Sequence, residues 1–94
     1  MHVTRNLKQW ATIYRGLGNP NRLRILRILS EVKQFSVSEL AKELEITIKN
    51  TSRNLGILSN LDLVEFTGRH DRVYYRLNPK MAEDIRQILR ITFR

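Results

Sequence analysis

Apolar side chains recur at three- and four-residue intervals along five stretches of the chain, and this periodicity predicts five helices. In residues 4–17 the stripe is Leu7, Trp10, Ala11, Ile13, Tyr14 and Leu17, with Gly16 and Gly18 placed to end the helix. Asn19-Pro20 supplies a good N-cap followed by a good first helical residue. The helix over residues 20–32 turns Leu23, Leu26, Leu29 and Val32 to one side, with Ile25 and Ile28 beside them.

Ser36-Val37-Ser38-Glu39 has the form of a capping box, so a third helix starts near Val37 and runs to about Leu44. Its Leu40, Ala41 and Leu44 face inward, and the small Ala41 lets two helices cross closely. Glu45-Ile46-Thr47 makes a turn, and Thr47 can cap a fourth helix over residues 48–61, where Leu55 and Leu58 face the core with Thr51 and Ile57 flanking. Helices joined by so short a turn cross steeply, as in a helix-turn-helix unit. The period then drops to two. Residues 64–67 and 73–77 alternate apolar and polar side chains and read as the strands of a hairpin, joined by a loop over residues 68–72. Asn78-Pro79 is expected to end the second strand and start a last helix over residues 79–93, whose stripe is Met81, Ile85, Ile88, Leu89 and Thr92, extended by Ile91 and Phe93. The fold class is therefore mainly α (α+β). It is a winged helix-turn-helix of about five helices with a two- to three-stranded β-wing, a device for placing one helix in the major groove of DNA. The helix-turn-helix covers 37–61 and the wing 64–77, in a single domain over 1–94.

Composition narrows the function. No apolar run approaches the roughly 18 residues of a membrane span, and MHVTRNLKQW lacks the apolar core of a signal peptide, so a cytoplasmic location is expected. The absence of cysteine removes disulfides, thiolate metal sites and thiol redox switching together. A formal charge of +8 favours a polyanionic partner, nucleic acid or an acidic membrane surface. Residues 35–64 carry three basic and four acidic side chains, whereas residues 1–34 carry seven and one, and residues 65–94 seven and four. The positive surplus thus lies in the flanking helices and the wing, where it can meet phosphates rather than bases.

From LGNPNRLRIL through FSVSELAKEL to GRHDRVYYRLN, about residues 8–80, the sequence resembles the ArsR-type winged-helix transcriptional repressors. The resemblance implies a homodimer whose first and last helices pair across a two-fold axis, and release of promoter DNA when an effector, often a metal ion, binds. Several positions depart from the family pattern. The cysteines of its metal-sensing branch are missing, and the last helix offers only Glu83 and Asp84. His2 and His70 lie near the terminus and at the wing tip, so no metal ligand set and no cofactor are expected. Asn54 stands where the family usually has histidine, Asp62 where it usually has glycine, and Ile48 where it usually has a polar residue.

A recognition helix reads bases with side chains near its N-terminal end. Lys49, Asn50, Ser52 and Arg53 are the candidates, on a face without acids. Arg53 suits guanine and Asn50 adenine, each bidentately, while Ser52 and Thr47 suit phosphates. Gly56 reads either as room for close backbone approach or as one glycine that a long helix tolerates. Arg69 and Arg72 flank the wing turn and suit an adjacent minor groove; a plain basic hairpin is the alternative. Arg22, Arg24 and Arg27 divide between phosphate contacts and ordinary surface charge, with surface charge favoured. Helices 4–17 and 79–93 are expected to pair in a homodimer, or else to close the monomer core. The expected function is sequence-specific binding of double-stranded DNA by a transcriptional regulator, most simply a repressor, with no catalytic residues and an unknown effector. The alternatives are a winged-helix module that binds protein or RNA, and a non-specific architectural DNA-binding protein. A basic first helix lying on a membrane surface is a weaker one.

Overall fold

Local hydrogen bonds place most of the helix boundaries. The structure, a computed structural model, describes residues 4–94, so His2 lies outside the described residues. Helix α1 spans Leu7–Leu17. It begins at the first residue of the apolar stripe, three residues later than the expected range of 4–17, because Asn6 and Gln9 form a reciprocal capping box that fixes the start. Helix α2 is Pro20–Glu31, capped by the Asn19 side chain, and α3 is Val37–Leu44, capped by the Ser36–Glu39 box. Helix α4 is Ile48–Asn60 and starts on Thr47, whose hydroxyl accepts the Asn50 N–H at 3.0 Å.

The wing is larger than the alternation indicates. Strand β2 is Val64–Arg69 and β3 is Arg72–Leu77, so the expected five-residue loop shrinks to a two-residue turn of His70 and Asp71. His70 takes the left-handed conformation at φ 58°, which lets the strands pair to their ends. A third strand, β1 (Phe35–Ser36), pairs antiparallel with β3, giving the order β1-β3-β2. Its two residues are too few to show a period.

The last helix also departs from expectation. Helix α5 is Glu83–Phe93, and Asn78-Pro79 opens a separate turn. The Asn78 carbonyl accepts from the Met81 N–H at 3.0 Å, while its side chain accepts from the Lys80 N–H and donates to the Asp62 carbonyl at 3.0 Å. Asn78 is therefore spent on fastening the end of β3 to the turn after α4.

The core lies where α2, α3, α4 and α5 converge on the base of the sheet. Ile25, Leu26, Leu40, Leu55 and Leu58 are fully buried, and Met81, Ile85 and Leu89 close it from the α5 side. At roughly 1.5–3 kcal/mol per fully buried large apolar side chain, this cluster dominates the favourable side of folding. Asp62 holds the turn after α4 in the left-handed conformation at φ 59°, so an aspartate does there what glycine usually does. The inner stripe of α5 thus covers the monomer core. Leu7, Tyr14 and Ile91, exposed to 86%, 55% and 62%, are left uncovered on α1 and α5.

Candidate nucleic-acid interface

Helix α4 presents one face to the core and one to solvent. Thr51, Asn54, Leu55 and Leu58 are buried, while Thr47, Lys49, Ser52 and Arg53 are exposed and Asn50 and Gly56 sit at the border. Helical spacing puts Lys49, Ser52, Arg53 and Gly56 on one arc, so the structure brings these sequence candidates together. The helix contains no acid, in its first turn or beyond. Its N-terminus therefore keeps the partial positive charge of unpaired N–H groups, which favours phosphate. The Thr47 hydroxyl accepts the Asn50 N–H, which leaves its own proton available to donate. A Cβ added to Gly56 would meet no heavy atom within 4 Å, so no internal packing requires glycine there.

The wing sorts its residues by strand pairing. Glu65, Thr67 and Arg69 share a face with Arg76, Tyr74 and Arg72, their partners across β2 and β3. Arg69 and Arg72 are direct cross-strand partners and both are exposed. Like charges directly opposite one another destabilise a hairpin, and a phosphate between them would relieve that repulsion. The Arg69 guanidinium lies 5.4 Å from the centre of the Tyr74 ring, which steadies it near the turn. On the opposite face, Phe66 packs 5.6 Å from Tyr75 and remains 60% exposed.

Behind α4 lies a polar group that the sequence expectation missed. Arg22 is neither an ordinary surface charge nor free for phosphate. Its Nε donates to the Gly16 carbonyl at 2.6 Å, its Nη2 to the Arg15 carbonyl at 3.3 Å, and its Nη1 to Asn54 Oδ1 at 3.0 Å. Asn54, only 5% exposed, donates from Nδ2 to Asn50 O at 3.1 Å and to Asn50 Oδ1 at 2.9 Å. The signal was present in the spacing. Arg22 stands three, four and seven residues before the buried Ile25, Leu26 and Leu29, which places it on the inward stripe of α2. Arg24 is also engaged, donating to the Leu44 carbonyl at 3.3 Å at the end of α3. Arg27 matches the surface expectation, exposed beside Glu31 at 3.9 Å.

Among the described residues, no three His, Cys, Asp or Glu side chains converge as a metal-binding group. No helix among them is long and apolar enough to cross a membrane.

A helix-turn-helix domain model matches residues 17–65, just over half the chain. No curated protein sequence matches. Solved structures do. The homodimeric winged helix-turn-helix DNA-binding domain of Mb0332 from Mycobacterium bovis, a possible ArsR-family transcriptional regulator, is 27% identical with a TM-score of 0.77, over 98% of this chain and 86% of that one. The transcriptional repressor BigR from Xylella fastidiosa is 29% identical with a TM-score of 0.74, over 92% and 84%. The Mycobacterium tuberculosis protein Rv0081 is 28% identical with a TM-score of 0.79, over 95% and 87%. With the helix-turn-helix of α3 and α4, the three-stranded wing and these likenesses together, the chain belongs to the helix-turn-helix domain family and has the winged helix-turn-helix fold of ArsR-type transcriptional regulators.

Proposed function

We propose that this protein is a sequence-specific regulator of transcription that binds double-stranded DNA as a homodimer and acts as a repressor. The observation that carries the reading is the outward face of α4, where Lys49, Asn50, Ser52, Arg53 and Gly56 lie on a helix without acids and adjoin its N-terminus. In this reading α4 enters the major groove, Arg53 pairs with guanine, Lys49 and Asn50 meet base edges, and Thr47 and Ser52 hold phosphates. Gly56 lets the backbone approach closely. Arg69 and Arg72 reach the adjacent minor groove, where their mutual repulsion is relieved. The exposed Leu7, Tyr14 and Ile91 are covered by a second copy, which sets two recognition helices about one DNA turn apart, roughly 34 Å, on a pseudo-palindrome. The homodimeric Mb0332 domain and the repressor BigR support this assembly and this sign of regulation. No cofactor and no catalytic residue are assigned, and the protein works where its DNA is, in the cytoplasm.

The test is binding of the purified protein to the duplex upstream of its own gene against scrambled duplex at several salt concentrations. A preference of roughly a thousandfold or more, erased by Arg53→Ala, is the expected result. Equal and steeply salt-dependent binding to both duplexes would instead make it an architectural protein. No binding at low salt would turn the assignment to an interaction module for protein or RNA.

A further inference from the structure

We propose that Arg22, acting through Asn54, sets the hydrogen-bonding polarity of Asn50, so that Asn50 offers DNA a donor and withholds its acceptor. This rests on the base-reading role given to α4 above. The relay starts from a group whose polarity is fixed. A guanidinium can only donate. Arg22 is anchored on the last turn of α1 by the Gly16 and Arg15 carbonyls, and its remaining arm reaches Asn54 at 3.0 Å. The atom it meets there must be the amide oxygen, which turns the Asn54 NH2 to the opposite side. That NH2 donates to both the backbone and the side-chain oxygen of Asn50. A flipped Asn54 would set NH2 against guanidinium and oxygen against two oxygens, in a buried place where water cannot relieve the repulsion.

The constraint passes outward. Of the two lone pairs on Asn50 Oδ1, one is taken by Asn54 at 2.9 Å and the other is met by Arg53 Nη2 at 3.5 Å, while Asn50 Nδ2 has no hydrogen-bond partner among the described residues. An unconstrained asparagine reads adenine with its oxygen on N6 and its NH2 on N7. Asn50 keeps only the second half of that pair. Its donor suits an edge that presents acceptors alone, the O6 and N7 of guanine, and the adenine reading expected from residue type is withdrawn. Arg22 and Asn54 are positioning residues here, since neither touches the base.

Selection of binding sites from a random duplex pool tests this with the full chain. Asn50→Ala identifies the base pair concerned, as the one that loses its preference. At that pair the native protein should favour guanine over adenine by roughly tenfold, the low end for a base-edge contact. Asn54→Leu releases the Asn50 oxygen and should move the preference to adenine while leaving the other positions as they were. Asn54→Asp keeps the size and the bond from Arg22 but has no proton for Asn50, so it should shift the preference the same way if the leucine variant does not fold. Adenine preferred by the native protein at that pair, or an unchanged preference in the variant that folds, overturns the proposal. Should the native pool yield no preferred sequence, the base-reading role itself fails, and amide exchange of the free protein judges the relay alone. Slow exchange of the Asn54 side-chain NH2, lost in Arg22→Met, supports it; exchange as fast as that of exposed asparagines sinks it.

Discussion

The side chain of Leu61 occupies the space that a Cβ on Gly16 would need, so α1 and the C-cap of α4 meet where any larger residue must displace the end of that side chain. Gly16 lies inside α1, where alanine would gain about 1 kcal/mol in helix propensity. Overpacking opposes that gain at about 1–3 kcal/mol, and the half-buried Leu61 can yield only part of the way. Gly16→Ala should therefore lose about 1 kcal/mol net in urea unfolding. In a Leu61→Ala background the same change should become neutral or stabilising. Equal losses in both backgrounds would mean that the close approach is not what holds glycine there.

Gly56 makes the opposite case. Nothing inside the protein blocks a side chain there, so Gly56→Ala should raise the stability of the free protein by about 1 kcal/mol. If the backbone approaches DNA at this point, the same variant should bind its operator about tenfold more weakly, and a competition titration against native protein reads both values. Unchanged affinity would make Gly56 merely a tolerated glycine.

Leu7, Tyr14 and Ile91 form the uncovered apolar surface of α1 and α5. Leu7→Glu with Tyr14→Glu should give a monomer by light scattering while helix content by circular dichroism is retained. Loss of the paired contact should weaken binding to a two-half-site duplex by about a hundredfold or more. A monomeric mass for the native protein at micromolar concentration would dispose of the dimer.

The backbone N–H and then the hydroxyl of Ser36 hold the Glu39 carboxyl below the ordinary glutamate value, with a smaller pull from Arg72. A carboxyl lowered in the folded state stabilises fully above its unfolded pKa, about 4.3, and that contribution is lost as pH falls through the folded value. Native stability should decline across this acid window more steeply than that of Glu39→Gln, whose amide keeps the capping acceptor but does not titrate. Parallel curves in thermal melts from pH 6 to about 3 would show that the capping box carries no such linkage.

Much of the fold was legible because it rests on short-range chemistry. The Ser36–Glu39 box, the Asn19 cap before Pro20 and the Thr47 cap each join residues two or three apart. The candidates on α4 were legible for the same reason, since helical spacing alone gathers them. Strand β1 was not. Phe35 and Ser36 are extended because they pair with Tyr75 and Tyr74, residues distant in the chain. The start of α5 moved from Pro79 to Glu83 because Asn78 binds the Asp62 carbonyl.

By itself the sequence determined the helix-turn-helix, the wing, the charge distribution and the acid-free outward face of α4, because periodicity, caps and residue type are local properties. Tertiary structure alone decided that Arg22 meets the Gly16 and Arg15 carbonyls, that Asn54 joins it to Asn50, and that Arg69 and Arg72 stand opposite each other. Each of these depends on which distant group supplies a hydrogen bond or lies across a strand. That partner is set by how the helices and strands pack, and no spacing along the chain encodes it.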